Sequence, residues 1–365
     1  EINSYVSKSV NPAQMPDVVF EMYSVPTFET GHPEYLYGRE IASSKIVVKK
    51  NDILLCKINP RINRVWIVLD ESDNPNIASS EWIVIRTDEY NPEFLAWYFR
   101  TPQFQQRMMS EVTGIGGSLT RAQPKRVAEY PVPVLDRQKQ DRIATVLNKI
   151  ANIISLRKQE LKAYDELIKS RFIEMFGDPE QNPNGYPIKD FDEISVLVTD
   201  GEHATPHRTE KGIYLLSARN ILNHALQLDD VDYIDEDEYA RIAQRVVPQA
   251  GDVLISCSGS IGRCCVVPDG LQFQMVRSVA LIRFDNTINP IFAEWLITSD
   301  ELQRQIALSA TQSSQANLFQ GKIRKLHGYV PPMEFQQEFV AFVEQTNKSK
   351  LLYRFWGNSL SQKVK

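Results

Sequence analysis

The sequence states one unit twice, with a period near 200 residues, and this doubling constrains the fold more than any other feature. Asn51-Asp52-Ile53-Leu54-Leu55 is matched by Gly251-Asp252-Val253-Leu254-Ile255. Asn91-Pro92 followed by Trp97 returns as Asn289-Pro290 followed by Trp295, and Pro133 with Gln138 returns as Pro332 with Gln337. The offset moves from 200 to 198 and back to 199, a drift that small loop changes produce. If the units match throughout, the unit that begins near Pro187 has a first copy beginning near −12. The chain opens at Glu1 without a methionine, so an N-terminal strand is expected to be missing.

Each unit reads as two parts. The first is mixed α/β. Strands are expected at Lys45 to Val48, Ile53 to Cys56, Val65 to Leu69 and Trp82 to Arg86, then an amphipathic helix at Pro92 to Met109. Their counterparts are Val253 to Cys257, Cys264 to Val267, Ser278 to Phe284 and Pro290 to Leu308. The second part is a long helix. From Ile143 a 4-3 alternation visits Leu147, Ile150, Ile154, Arg157, Leu161, Tyr164, Ile168, Arg171 and Met175, the pattern of a coiled-coil seam. Asp136 can cap its start and Gly177-Asp178-Pro179 stops it, so 137–176 spans about 60 Å. The second copy, Phe335 to about Leu360, is shorter and carries Phe339, Phe342, Tyr353 and Trp356.

Connectivity then sets geometry. Helix one carries the chain into domain two and helix two leaves it, so paired seams must run antiparallel. The expected fold is α+β (mixed α/β), with two similar domains, 1–135 and 179–332, separated by long helices, 136–178 and 333–365, forming an antiparallel coiled coil. Such domains are related by a pseudo-two-fold axis, and duplex DNA offers the same symmetry to paired readers, with half-sites ~34 Å apart.

The net charge of −5 argues against a DNA binder that works alone, since phosphate contacts need concentrated Lys and Arg. The charge is uneven: −2 for residues 1–135, +2 for 136–178, −7 for 179–332 and +2 for 333–365. Much of the acidity lies in Asp229-Asp230-Val231-Asp232 and Asp235-Glu236-Asp237-Glu238. A metal site could be drawn from that run, but Asp235 capping a short helix, with acidic neighbours at its N-terminus, is the favoured reading. His203 and His207 have ligand-like spacing, yet Pro206 lies between them and no third ligand is near, so no metal is expected. The four cysteines, Cys56, Cys257, Cys264 and Cys265, include no Cys-x-x-Cys pair and read as buried or reduced thiols of a cytoplasmic protein. No apolar run approaches the ~20 residues of a membrane helix. There is no Gly-x-x-x-x-Gly-Lys phosphate loop and no Asn-Pro-Pro-aromatic segment of an adenine methyltransferase, so no catalytic residue is assigned. Trp97 and Trp295 sit at equivalent places on apolar helix faces, where core packing is expected over base stacking.

Taken in order, the motifs resemble the specificity subunit of type I restriction-modification systems, along essentially the whole chain. Asp200-Gly201-Glu202-His203-Ala204-Thr205-Pro206, then Gly212-Ile213 and Ser217-Ala218-Arg219-Asn220-Ile221, resembles the opening of a target recognition domain of that family. Gly251-Asp252-Val253-Leu254-Ile255 with Ser258-Gly259-Ser260-Ile261-Gly262-Arg263 resembles its central strand and loop. Pro131-Val132-Pro133-Val134-Leu135 and Gln138, running into the helix that ends Ile168-Lys169-Ser170-Arg171-Phe172, resembles its spacer helix. Loop one, Ile58-Asn59-Pro60-Arg61-Ile62-Asn63-Arg64, departs from the pattern of loop two, as two readers of different sequences would. The resemblance implies a non-catalytic DNA-binding subunit with two target recognition domains on a bipartite site of double-stranded DNA. It also implies two adenine methyltransferase subunits and motor-nuclease subunits as partners, with S-adenosylmethionine and ATP/Mg on those partners and no cofactor on this chain.

Base edges are read by Arg on guanine, Asn or Gln on adenine, and short Ser or Thr. Candidates in domain one are Lys57, Arg61, Asn63 and Arg64, with Ser118, Thr120 and Arg121 beyond the Gly114-Ile115-Gly116-Gly117 turn. In domain two they are Arg219, Asn220, Ser258, Ser260 and Arg263, with Gln312, Ser313, Ser314, Gln315 and Asn317. Singly, each is as readily an ordinary solvated loop residue; as sets on loops they point to binding. Two other readings are a coiled-coil scaffold with protein-binding domains and a single-chain DNA-modifying enzyme, the latter opposed by the missing motifs.

Overall fold

The computed structural model describes residues 7–110, 120–310 and 317–361, with side chains described to Lys350. The chain divides into two compact units, residues 1–155 and 156–365.

Unit 1 carries β1 (Ser9–Val10), β2 (Val19–Tyr23), β3 (Glu34–Tyr37), β4 (Lys45–Val47), β5 (Ile53–Cys56), β6 (Val65–Ile67), β7 (Asn76–Ala78) and β8 (Trp82–Ile85). Helices α1 (Pro92–Phe99), α2 (Pro102–Ser110) and α3 (Pro124–Val127) follow, and α4 (Arg137–Phe176) starts here and ends in unit 2. Strands β6-β5-β8 form one antiparallel sheet. A second sheet, ordered β1-β4-β7-β2-β3, is mixed, with β2 antiparallel to β3 and parallel to β7.

Alternation along β5 explains how these layers stack. Ile53 and Leu55 face the helices, packing with Phe94, Leu95, Phe99 and Phe104, whereas Leu54 and Cys56 face Tyr23, Trp66 and Trp82 on the other side. A strand covered on both faces has to be apolar throughout, which is why Ile53-Leu54-Leu55-Cys56 shows no polar alternation.

Unit 2 contains β9 (Ile188–Asp190), α5 (Phe191–Ile194), β10 (Ser195–Asp200), β11 (Ile213–Leu216), β12 (Ile221–Leu222), β13 (Ala225–Leu226), β14 (Asp232–Ile234) and α6 (Glu236–Ala243). It continues through β15 (Val253–Ser256), β16 (Cys264–Val266), β17 (Phe273–Met275), β18 (Val279–Phe284), α7 (Pro290–Ile297), α8 (Asp300–Ala310), α9 (Gln320–Ile323), β19 (His327–Tyr329) and α10 (Met333–Ser361). The plan of unit 1 recurs. Central strand β15 lies between β16 and β18, and β11 pairs antiparallel with β14 and parallel with β17. Here β10 adds a fourth strand beside β18, while β8 has no such neighbour among the described residues. Val253 and Ile255 face the helices; Leu254 faces Phe273 and Met275.

The same polar devices recur too. Asp52 is fully buried and takes Arg86 through two bonds of 2.6 Å; Asp252 takes Arg283 at 2.7 and 2.8 Å. Each carboxylate also accepts the amide three residues upstream, from Lys49 at 2.8 Å and from Gln249 at 2.7 Å. The preceding residue has a left-handed backbone, Asn51 at φ 68° and Gly251 at φ 87°, so the first position of the repeat holds Asn or Gly. Asn91 and Asn289 cap α1 and α7. Their own amides donate to buried glutamines, Gln140 at 2.8 Å and Gln336 at 2.7 Å. The functional equivalents are therefore Gln140 and Gln336, rather than Gln138 and Gln337.

Two expectations are refined. Each helix expected after the last strand is two helices: α2 restarts at Pro102, whose ring disfavours helical geometry at Thr101, and α8 restarts after Ser299, whose hydroxyl accepts from Leu302 at 3.4 Å. The long helix spans 137–176 as expected, but its seam is not uniform. Ile168, Phe172 and Phe176 are buried, Arg171 and Met175 are half-buried, and Ile154 and Arg157 are exposed. The reason is a broad face: Phe172 and Phe176 pack on Phe292 of α7 as well as on Phe339 of α10. Within unit 2 the helices run antiparallel, for Asp165 pairs with Lys350 while Arg171 pairs with Glu338 at 2.9 Å. The acidic run behaves as expected: Asp235 caps α6 through the Glu238 amide at 2.8 Å, and Asp232 pairs with Arg208 and Arg219.

Candidate nucleic-acid interface

In both units a loop leaves the buried central strand and is fixed at its base. In unit 1 this is 57–64, between β5 and β6. The Lys57 amide donates to Glu81 O at 3.0 Å, and its carbonyl accepts from Ala122 at 2.7 Å. The Asn59 amide donates to Thr120 O at 3.0 Å. Lys57, Arg61, Thr120 and Arg121, far apart in sequence, are thus brought together; Ser118 lies outside the described residues.

Unit 2 uses the same pins on 257–263, between β15 and β16. The Cys257 amide donates to Ser278 O at 2.8 Å, and its carbonyl accepts from Leu318 at 2.9 Å. Asn317 therefore adjoins the loop of Ser258, Ser260 and Arg263, while Gln312, Ser313, Ser314 and Gln315 lie outside the described residues. Ser278 Oγ also accepts the Ala218 amide at 3.0 Å, which ties the turn bearing Arg219 to the same place.

The loop of unit 2 is tightly built. Ser256 Oγ donates to Ser260 O at 2.6 Å and accepts from the Arg263 amide at 3.0 Å. Gly262 has φ 87°, and a Cβ there would lie 2.9 Å from Gln303 Oε1. The loop of unit 1 is looser inside: Asn59 Oδ1, Asn63 Oδ1, Arg64 Nε and Glu81 Oε2 are buried without a hydrogen-bond partner among the described residues.

Three candidates are engaged within their own unit. Asn220 is fully buried and commits its side chain to its own turn, accepting from the Ser217 amide at 2.9 Å and donating to Gln227 O and Asp230 O, both at 2.9 Å. Asn63 donates to Phe99 O at 3.1 Å, and Arg64 is mostly buried, 4.0 Å from Glu29. Polar loop residues that follow a helix end or line a tight turn are needed by orphan backbone groups before any ligand arrives.

Other candidates stay available. Lys57, Arg61 and Arg263 have no side-chain partner among the described residues. Arg121 pairs with half-buried Glu81 at 3.4 Å and Arg219 with Asp232 at 2.8 Å, both from exposed positions. Sequence reasoning missed Arg277, exposed on the β17–β18 turn next to Ser278, because nothing in the chain order places it beside 257–263. It also missed Gln105 and Gln303, whose spacing from the loops carries no local signal.

Burial pushes the Cys56 thiol up and the Cys257 thiol up to about 12, and all four cysteines are free and buried. His203 accompanies Asp200 at 2.9 Å, and His207 lies 3.9 Å from Asp235. No group of three or more metal-ligating side chains occurs among the described residues. Trp295 is buried, stacked on His224 at 3.9 Å; Trp97 is half-buried and donates to Asn148 at 2.7 Å, so both indoles pack within their units.

The architecture has solved counterparts. A chain from a type I restriction-modification system, solved to show complex assembly and conformational transition, superposes with a TM-score of 0.53 at 17% identity, over 98% of this chain and 91% of that one. The type I restriction-modification system S subunit from M. genitalium superposes with a TM-score of 0.57 at 12% identity, over 98% and 94%. This chain has the S-subunit fold. No family model and no curated relative matches the sequence, so the shared architecture carries the comparison. The two pinned loops occupy equivalent places in the two units of this chain, and they differ in length and chemistry. Unit 1 presents Lys57, Arg61 and Arg121, and unit 2 presents Ser258, Ser260 and Arg263.

Proposed function

We infer that this chain is the sequence-specificity subunit of a type I restriction-modification complex. It binds a bipartite site on double-stranded DNA, one half per unit, and directs two adenine methyltransferase subunits and motor-nuclease subunits to it. The observation that carries this reading is the doubled loop. Two units share buried Asp–Arg pairs, helix caps and loop pins, yet end in loops of different side chains, as two readers on one frame require. The chain itself recognises and does not catalyse; S-adenosylmethionine and ATP/Mg are held by the partners. It works in the cytoplasm, and no described helix is long and apolar enough to cross a membrane.

The net charge of −5 fits a reader that shares its phosphate contacts with partners. The test is to assemble the chain with an adenine methyltransferase subunit and follow methyl transfer to duplexes carrying and lacking the mapped site. Transfer only with both subunits and only on the site supports the reading; transfer by this chain alone overturns it.

A further inference from the structure

Helices α2 and α8 each send one glutamine to the loop of their own unit. Gln303 Nε2 donates to Gly262 O at 3.0 Å and to Ile297 O, at the end of α7, at 2.8 Å. Gln105 Nε2 donates to Arg61 O at 2.6 Å. The two glutamines are equivalent, since α1 and α7, and the starts of α2 and α8, are each 198 residues apart, as are Gln105 and Gln303. What they hold is not equivalent. Gly262 stands two residues before β16, and Arg61 four residues before β6. One donor thus grips two loops at different points of their path.

The grip falls next to the side chains that remain free. In unit 2 the held carbonyl belongs to the residue just before Arg263, whose amide bonds Ser256 Oγ at 3.0 Å and whose carbonyl takes the Ser256 amide at 2.8 Å. The Arg263 backbone is therefore fixed on both sides while its guanidinium has no partner among the described residues. In unit 1 the held carbonyl is that of Arg61 itself, also free at its guanidinium among the described residues. A side chain can discriminate between bases only if its Cα is held to a fraction of an ångström, because bidentate recognition tolerates little error in direction.

We propose that Gln303 and Gln105 are positioning residues for specificity: each clamps one recognition loop through a backbone carbonyl and so sets where that loop's arginine is presented. The proposal rests on the reading of the chain as a specificity subunit. The partly apolar setting suits the clamp. Gln303 is half-buried against Ile306 and Gly262, where a lost donor leaves two carbonyls unsatisfied and the loop free to shift.

The test uses the full chain assembled with its methyltransferase subunit. Q303M and Q105M keep side-chain length and remove the donor. Methylation rates are measured on duplexes with single-base changes in either half-site, beside urea unfolding of each variant. The clamp predicts that Q303M loses discrimination on the order of tenfold in one half-site only, with the other half-site intact. Q105M does the converse, and neither shifts the unfolding midpoint enough to account for it. Unchanged discrimination in Q303M, or an equal loss of rate on every sequence, overturns the clamp. If Q303M does not fold, Q105M decides by the same readout. A wild-type complex with no sequence preference would remove the functional reading and the clamp with it, whereas a discriminating wild type with unaltered variants removes the clamp alone.

Discussion

Arg263 is held by its backbone and free at its tip among the described residues, which makes it the side chain best placed to be tested first. Replacing it with Ala should relax one half of the recognised site by about 1–3 kcal/mol per lost bidentate contact and leave the other half alone. Arg61→Ala should do the reverse; a single substitution that alters both halves would contradict separate readers. Asn220→Ala is a useful contrast. Its side-chain amide serves three backbone groups, on Ser217, Gln227 and Asp230, so the expected result is lost stability rather than altered base preference. The buried Asp52–Arg86 and Asp252–Arg283 pairs make a second prediction at this scale. Asp252→Asn leaves the partly exposed Arg283 facing a neutral partner and should cost about 1–3 kcal/mol, read by urea unfolding. A loss within experimental scatter would show that the repeated aspartate is not what fixes the turn. The cysteines give a third. With all four buried and the Cys257 thiol pushed up to about 12, a thiol reagent at pH 8 should react slowly with the folded chain and fully once it is denatured.

At the scale of elements, much was readable from the sequence and the reasons are local. The central strands stood out because β5 and β15 are covered on both faces, leaving an unbroken apolar run. Helix α4 was bounded within a residue by Asp136 and Gly177, as capping chemistry allows. Short strands such as β2, β7, β11 and β17 gave no such signal. Their pairing, β2 with β7 and β11 with β17, is parallel and joins residues 55 and 59 positions apart, which no local pattern encodes. The candidate site was half legible for the same reason. The loops could be found from glycine and polar residues, but side-chain direction could not, so Asn63, Arg64 and Asn220 were expected outside and point in. The helix offers its own prediction. Inserting four residues near exposed Arg157 lengthens α4 by ~6 Å while nearly preserving rotation, so the preferred gap between half-sites should grow by about one or two base pairs. Two inserted residues rotate the remainder of the helix by ~200° and should abolish methylation. Methylation of duplexes differing only in gap length distinguishes these outcomes; full activity with an unchanged gap after the four-residue insertion means that the length of α4 does not set the gap.

For the molecule as a whole, doubling is the organising device: one arrangement of sheet, capped helix and pinned loop is used twice, with a strand added at an edge and a different loop chemistry in each copy. Acidity is concentrated at 179–332, and Arg208, Arg219 and Arg241 are engaged there in internal pairs, which leaves little positive charge for phosphates. The isolated chain should therefore bind DNA weakly at physiological salt and the methyltransferase complex tightly. The central claim, that two different readers on one chain address one DNA site, is tested most directly by mapping adenine methylation in cells that express this chain together with its methyltransferase subunit. The account predicts a single bipartite motif, two short defined halves separated by a fixed run of unspecified bases. One continuous motif, or methylation with no sequence preference, would contradict it.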